Sequence, residues 1–298
     1  PAGEKTARDV AAGKAQKFVY RSLLLRDGAQ GEQGGVALLR DGADNSKGML
    51  LTLKATSHGL SHGHYDKLTI ALYDNGHEIL TDYGAARFLN VLSKSGGRYT
   101  DENDTYAQQT IAHNTLVADE TSHFGGDITV SSLYADRICY WNDSTRYRVW
   151  SESGEPVTVQ AVQAEDKDAY REQGIRMQRT LMLISSALTE FPIVLDVMKA
   201  QSEQPHTYDL PWHYNGHIID AGFSIRRNAT VLRPLGTAYG YQHLWKESQT
   251  PITTDNAYFT FLQGNRFYTV TTTLDPVSAY AIQAHSGAND PDRNLRME

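Results

Sequence analysis

Cysteine is nearly absent from this chain. Cys139 stands alone in 298 residues, so neither an intrachain disulfide nor a cysteine-based zinc cluster can form. Long apolar runs are missing too: none approaches the ~20 residues of a membrane-spanning helix. The opening stretch, PAGEKTARDVAAGKAQ, lacks the apolar core of a signal peptide and does not begin with Met, which suggests a mature or shortened product. Positive charge is in deficit, with 28 Lys and Arg against 35 Asp and Glu. The resulting net charge of −7 argues against a nucleic acid held on a broad basic face. No GxSxG elbow occurs, and no pair of acidic residues stands out in an apolar setting, so triad or paired-carboxylate hydrolysis ranks low. There is no repeat of fixed period and no low-complexity linker.

What remains is mostly extended in pattern. Residues 5–25 place Ala7, Val10, Ala11, Ala15, Phe18 and Leu23 at helical spacing. After Gly28 the apolar runs become short and are bounded by Gly, Asn, Asp or Pro, as at 36–39, 49–53, 68–73 and 78–83. Asp74-Asn75-Gly76-His77 is a strong hairpin signal between the last two. Further strand-like runs are expected at 128–135, 145–151, 157–162, 175–184, 191–198, 230–233, 257–262, 266–273 and 278–284. The expected fold is mainly β. A large antiparallel β-sandwich over 29–298 follows a helical lead-in over 1–28, read as the end of a helical domain absent from this chain.

Chemistry concentrates between residues 57 and 115. His58, His62 and His64 crowd one short stretch, Asp66 follows, Asp82 stands beyond the hairpin, and His113 opens an HNT triplet. On an extended strand His62 and His64 would share a face. With Asp82 and His113 nearby they could bind zinc; the alternative is a set of histidines satisfied by internal hydrogen bonds. Asp66 is placed to orient an imidazole. The stretch RFLNVLSKSGGRY carries Arg87, Lys94 and Arg98 with no acidic residue, a local cationic site on an acidic chain or a solvated loop. Polyuronate cleavage by β-elimination needs a neutraliser for the carboxylate, a base and an acid, and His62, Arg87, Tyr99, His113 and Asn114 supply those types. Tyr99 is one of 17 tyrosines, and packing is the commoner role for any one of them. Trp212, His213 and Tyr214 suit either a sugar pocket or a sheet-edge cluster, and Cys139 reads as a core thiol.

Three ordered stretches, SHGHYDKL (61–68), ILTDYGAARF (79–88) and GGRYTDENDTYAQQTIAHNTL (96–116), resemble the C-terminal sheet region of heparinase II/III-like polysaccharide lyases, and within them the exolytic oligoalginate lyases. YDLPWHYNG (208–216) adds a looser match. The resemblance implies a lyase that cleaves an alginate-like polyuronate exolytically, in a periplasmic or secreted setting. It implies zinc, mainly structural, on His64, Asp82 and His113. His62 would face the substrate, Arg87 would hold its carboxylate and Tyr99 would be the acid or base. The implied partner is an acidic oligo- or polysaccharide, with neither nucleic acid nor membrane. The rest of the site is expected from a helical domain or chain. A noncatalytic carbohydrate-binding β domain is the competing expectation.

Overall fold

A computed structural model describes residues 2–14, 20–42, 46–59, 62–82, 102–144, 149–150, 152, 154, 156–225, 230–274 and 279–286. The chain opens with helix α1 (Ala2–Ala11). Gly13 ends it: at φ +68 it lets its own N–H reach the Val10 carbonyl and the Lys14 N–H reach that of Asp9. That pair of bonds is a Schellman termination. The helical spacing through residue 25 is therefore misleading, because Leu23–Arg26 forms a strand, β1, paired with the next strand.

β1 leads a five-stranded antiparallel sheet in simple order, followed by β2 (Gly34–Arg40), β3 (Met49–Thr56), β4 (Thr69–Asp74) and β5 (His77–Leu80). The Asn75-Gly76 turn joins the last two, with φ of 49° and 80° at its centre, the combination a two-residue hairpin of this twist requires. The following segment holds short helical turns and β6 (Val117–Ala118). Here the expected strand at 128–135 is corrected. Asp127 accepts from the Thr129 and Val130 N–H groups at 2.7 and 3.1 Å, and so caps helix α2 (Ile128–Ser131).

The second five-stranded sheet contains β7 (Arg137–Asn142), β8 (Val149–Trp150), β9 (Pro156–Tyr170), β10 (Ile175–Ser186) and β11 (Ile193–Gln201). A register shift between Ile138 and Tyr140 leaves Cys139 exposed, so it is not the core thiol its neighbours suggested. β12 (Tyr208–Asp209) pairs with β6. β13 (His217–Ala221), β14 (Arg233–Pro234), β15 (Leu244–Pro251), β16 (Asn256–Gln263), β17 (Arg266–Thr273) and β18 (Tyr280–Ser286) complete two three-stranded sheets.

One core joins the two five-stranded sheets and the β13–β16–β17 sheet, while Leu244 of β15 packs in a second cluster with Tyr106, Ile111 and Tyr241. Leu39, Leu51 and Leu53 of the first sheet pack with Val162, Met177, Leu181 and Leu183 of the second, and with Phe261 of β16. Each such buried side chain contributes about 1.5–3 kcal/mol of hydrophobic stabilisation. The expectation of a mainly β, antiparallel sandwich with one short N-terminal helix holds. Among the described residues, no helix is long and apolar enough to cross a membrane.

Candidate metal centre

Three connections converge at one end of the first sheet. Between β3 and β4, residues 57–59 and 62–68 form no strand, so His62 and His64 do not share a strand face. Gly63 explains why. A Cβ there would sit 1.4 Å from the His58 carbonyl oxygen, a close approach that only glycine permits. The folded-back loop is pinned beside the segment that leads to His113. Tyr65 N–H donates to the Gln108 carbonyl at 2.9 Å, and Thr110 Oγ1 donates to the Tyr65 carbonyl at 2.6 Å.

Asp82 lies two residues beyond β5. His113 follows the 3-10 turn Thr110–Ala112 in extended conformation, not on a strand. Its Nδ1 lies 2.8 Å from Asp82 Oδ2, and its ring is 5.1 Å from that of His64, centroid to centroid. One ligand atom from each of His64, Asp82 and His113 falls within 4.8 Å of the others, and no other such group of His, Cys, Asp and Glu occurs among the described residues.

The electrostatics suit a cation. Burial, helped by the neighbouring His113, pushes His64 down to about 4, so its imidazole is neutral with a free lone pair at neutral pH. Burial also opposes charge on His113, but the Asp82 carboxylate and its hydrogen bond outweigh this and raise that group. His113 Nε2 is buried without a hydrogen-bond partner, while Nδ1 faces the Asp82 carboxylate. Two imidazole nitrogens and a carboxylate oxygen are a donor set that zinc accepts, so the residues present fit such an ion.

The remaining expected residues divide. His62 is exposed on the same loop and is not one of the three converging groups. Arg87 and Tyr99, with Lys94 and Arg98, lie outside the described residues. Asn114 is bonded inside the fold. It is 1% exposed, and its amide donates to the Ile70 and Thr81 carbonyls at 3.2 and 2.7 Å and accepts from His213 N–H at 2.6 Å. Those bonds, made inside the fold, tie the His113 segment to β4 and to the Thr81–Asp82 end of β5. Asp66 does not orient an imidazole directly either: Lys54 Nζ binds its two carboxylate oxygens at 2.8 and 2.6 Å. Burial would raise Asp66, and Lys54 more than reverses that. His58 is also committed elsewhere, its Nδ1 lying 3.0 Å from Ser131 Oγ on α2. Tyr214 is core, packed on Phe259 and Phe261, while His213 Nε2 binds the Ile111 carbonyl at 2.8 Å.

Two further cations stand behind this centre, Lys54 and Arg179. Arg179 is a cation on the buried row of β10, and that break in an apolar row is visible in the sequence, whereas Lys54 lies on the other, half-buried face of β3 with Thr52 and Thr56 and breaks no pattern.

The molecule is thus an antiparallel β protein with a His-Asp-His cluster at the end of one sheet. The heparinase II/III-like C-terminal family model matches residues 24–288. The chain belongs to that family. It is 42% identical over 299 aligned positions to an exo-oligoalginate lyase of Saccharophagus degradans, covering 99% of this chain and 38% of that protein. It is 39% identical over 298 positions to an alginate lyase of Stenotrophomonas maltophilia, covering 100% of this chain and 38% of that protein. The chain thus spans 38% of the length of these two relatives. Among solved structures, a heparinase III aligns with a TM-score of 0.48 at 13% identity, over 86% of this chain and 31% of that one.

Proposed function

We propose that this chain is the β portion of a polysaccharide lyase that acts on an alginate-like polyuronate from its chain end, in a periplasmic or secreted setting. The observation that carries the reading is the convergence of His64, Asp82 and His113 in a chain about two-fifths identical, over almost its whole length, to two alginate lyases.

The chemistry is a β-elimination. A base removes the proton on the sugar carbon beside the carboxylate, and that electron pair becomes the new carbon–carbon double bond. The bond from the neighbouring carbon to the glycosidic oxygen breaks, its electrons stay on that oxygen, and an acid protonates it. No water is consumed. Arg87 holds and neutralises the carboxylate, so that negative charge can accumulate there as the proton leaves. Tyr99 serves as acid or base, and His62 faces the sugar from the loop. A helical domain of the full-length protein supplies the remaining groups.

His64, Asp82 and His113 would hold zinc, which would supply a cross-link among three chain segments and a fixed positive charge. The residues themselves do the rest of the organising. Gly63 turns the loop so that His62 and His64 leave it at different places, and Asn114 keeps the Asp82 and His113 segments together.

Incubating the full-length protein with oligoalginate, while following ultraviolet absorbance of the unsaturated uronate product, tests this reading. Absorbance should rise in step with new chain ends. New reducing ends without absorbance would mean hydrolysis, and saturable binding with neither would support the noncatalytic carbohydrate-binding reading.

A further inference from the structure

The inward row of β10 is Ile175, Met177, Arg179, Leu181 and Leu183, all buried. Four are apolar, and the fifth is a guanidinium with no exposed surface. On β11 the inward row runs Val194, Asp196, Met198 and Ala200, again with one charge among residues that pack on the core. Taking two charges out of water is costly, and apolar residues of similar volume would often serve stability as well or better. What the guanidinium touches accounts for its presence. Nε and Nη2 grip Asp196 Oδ1 and Oδ2 at 2.9 and 2.6 Å, a bidentate pair. Nη1 donates across the interior to the carbonyls of Leu68 at 2.8 Å and Asn114 at 2.5 Å.

Those two carbonyls are not arbitrary. Leu68 closes the loop that carries His64 and holds a φ of +60°, a conformation an L-residue with a branched side chain rarely adopts. Asn114 follows His113 directly, and its side chain holds the Thr81 carbonyl, next to Asp82. Thr115 Oγ1 adds a bond to the Lys67 carbonyl at 2.6 Å, which closes the ring of contacts. One side chain from the opposite sheet thus reaches all three segments of the centre, either directly or through Asn114.

We infer that Arg179, held in place by Asp196, is the positioning residue of the His64–Asp82–His113 centre and sets the spacing of His113 and Asp82. Where it concerns an ion, the inference rests on the metal reading above. The 2.8 Å contact between His113 and Asp82 is the spacing in question.

Arg179→Lys and Asp196→Asn test it. Lysine keeps the charge but cannot form the fork, whereas the asparagine loosens the fork and leaves the guanidinium in reach of both carbonyls. Two readouts are taken on folded protein: the proton resonance of the His113 ring N–H in metal-free samples, and cobalt(II) affinity from visible absorbance. The His113 resonance should shift or vanish, and cobalt affinity should fall by about 10–100-fold, more for Arg179→Lys than for Asp196→Asn. A folded variant with the wild-type resonance and affinity overturns the inference. If Arg179→Lys does not fold, Asp196→Asn decides alone. Arg266→Lys, which disturbs the separate Arg266–Asp74 pair, is the control; an equal shift there would mean general loosening and would also overturn it. Wild-type protein that takes up no cobalt would refute the metal reading, and the His113 resonance would still judge Arg179.

Discussion

Replacing Asn114 by alanine separates two roles that the sequence alone leaves mixed. The buried amide makes three bonds, to the Ile70 carbonyl, the Thr81 carbonyl and the His213 N–H. Its removal strands two acceptors and a donor in a region with almost no solvent. A net loss of about 1 kcal/mol for each bond gives roughly 3 kcal/mol in all, and more if no water enters to replace the amide. Asn114→Asp should cost at least as much, because it sets a carboxylate oxygen against two carbonyls. The assay is urea unfolding at neutral pH, followed by far-ultraviolet circular dichroism and extrapolated to water. Stability equal to wild type, together with a raised KM in the full-length enzyme, would refute the reasoning and return Asn114 to the substrate.

His123 is buried as the neutral form, and burial pushes it down to about 4 from 6.5. A histidine lowered on folding contributes stability that is complete above its unfolded pKa and is lost as pH falls toward its folded one; linkage puts the loss at about 2 kcal/mol by pH 5. Between pH 7 and 5, urea unfolding should show a loss about 2 kcal/mol larger in wild type than in His123→Gln, and equal pH dependence in both would count against it. Asp127→Ala should remove about 1 kcal/mol with the cap of α2, read in the same way; a variant as stable as wild type would mean that the cap contributes nothing. In the full-length protein, Tyr99→Phe should lower turnover by roughly 100-fold or more with little change in stability, whereas a packing tyrosine would tolerate the change. Arg87→Ala should raise KM, and an unchanged KM would take the carboxylate contact away from Arg87.

Patterns that depend on neighbouring residues were the most readable. Asp74-Asn75-Gly76-His77 closes its hairpin as its chemistry requires, and the alternating runs that became β2, β3, β9, β10, β16 and β17 lie where their periodicity put them. Two errors came from local signals that were present but passed over. Gly13 is a helix terminator followed by a strand that period alone could not reveal, and Asp127 is a helix cap ahead of the β-branched residues of α2. The site was legible as residue types: His64, Asp82 and His113 do meet. Their supports were not legible, because they depend on tertiary contacts between residues far apart in the chain. Asn114 gives no sign in sequence that its amide turns inward, and Arg179 reaches Asn114 across 65 residues. His62 and His64 look equivalent at spacing two, and only the Gly63 turn separates them.

Metal analysis of full-length protein, purified without chelator and compared with His64→Ala and His113→Ala, tests the central claim most directly. The account predicts about one zinc per chain in wild type, and its loss from both variants while each remains folded. Wild-type protein with far less than one equivalent, or folded variants that keep the full complement, would contradict the assignment of His64, Asp82 and His113 as the metal centre.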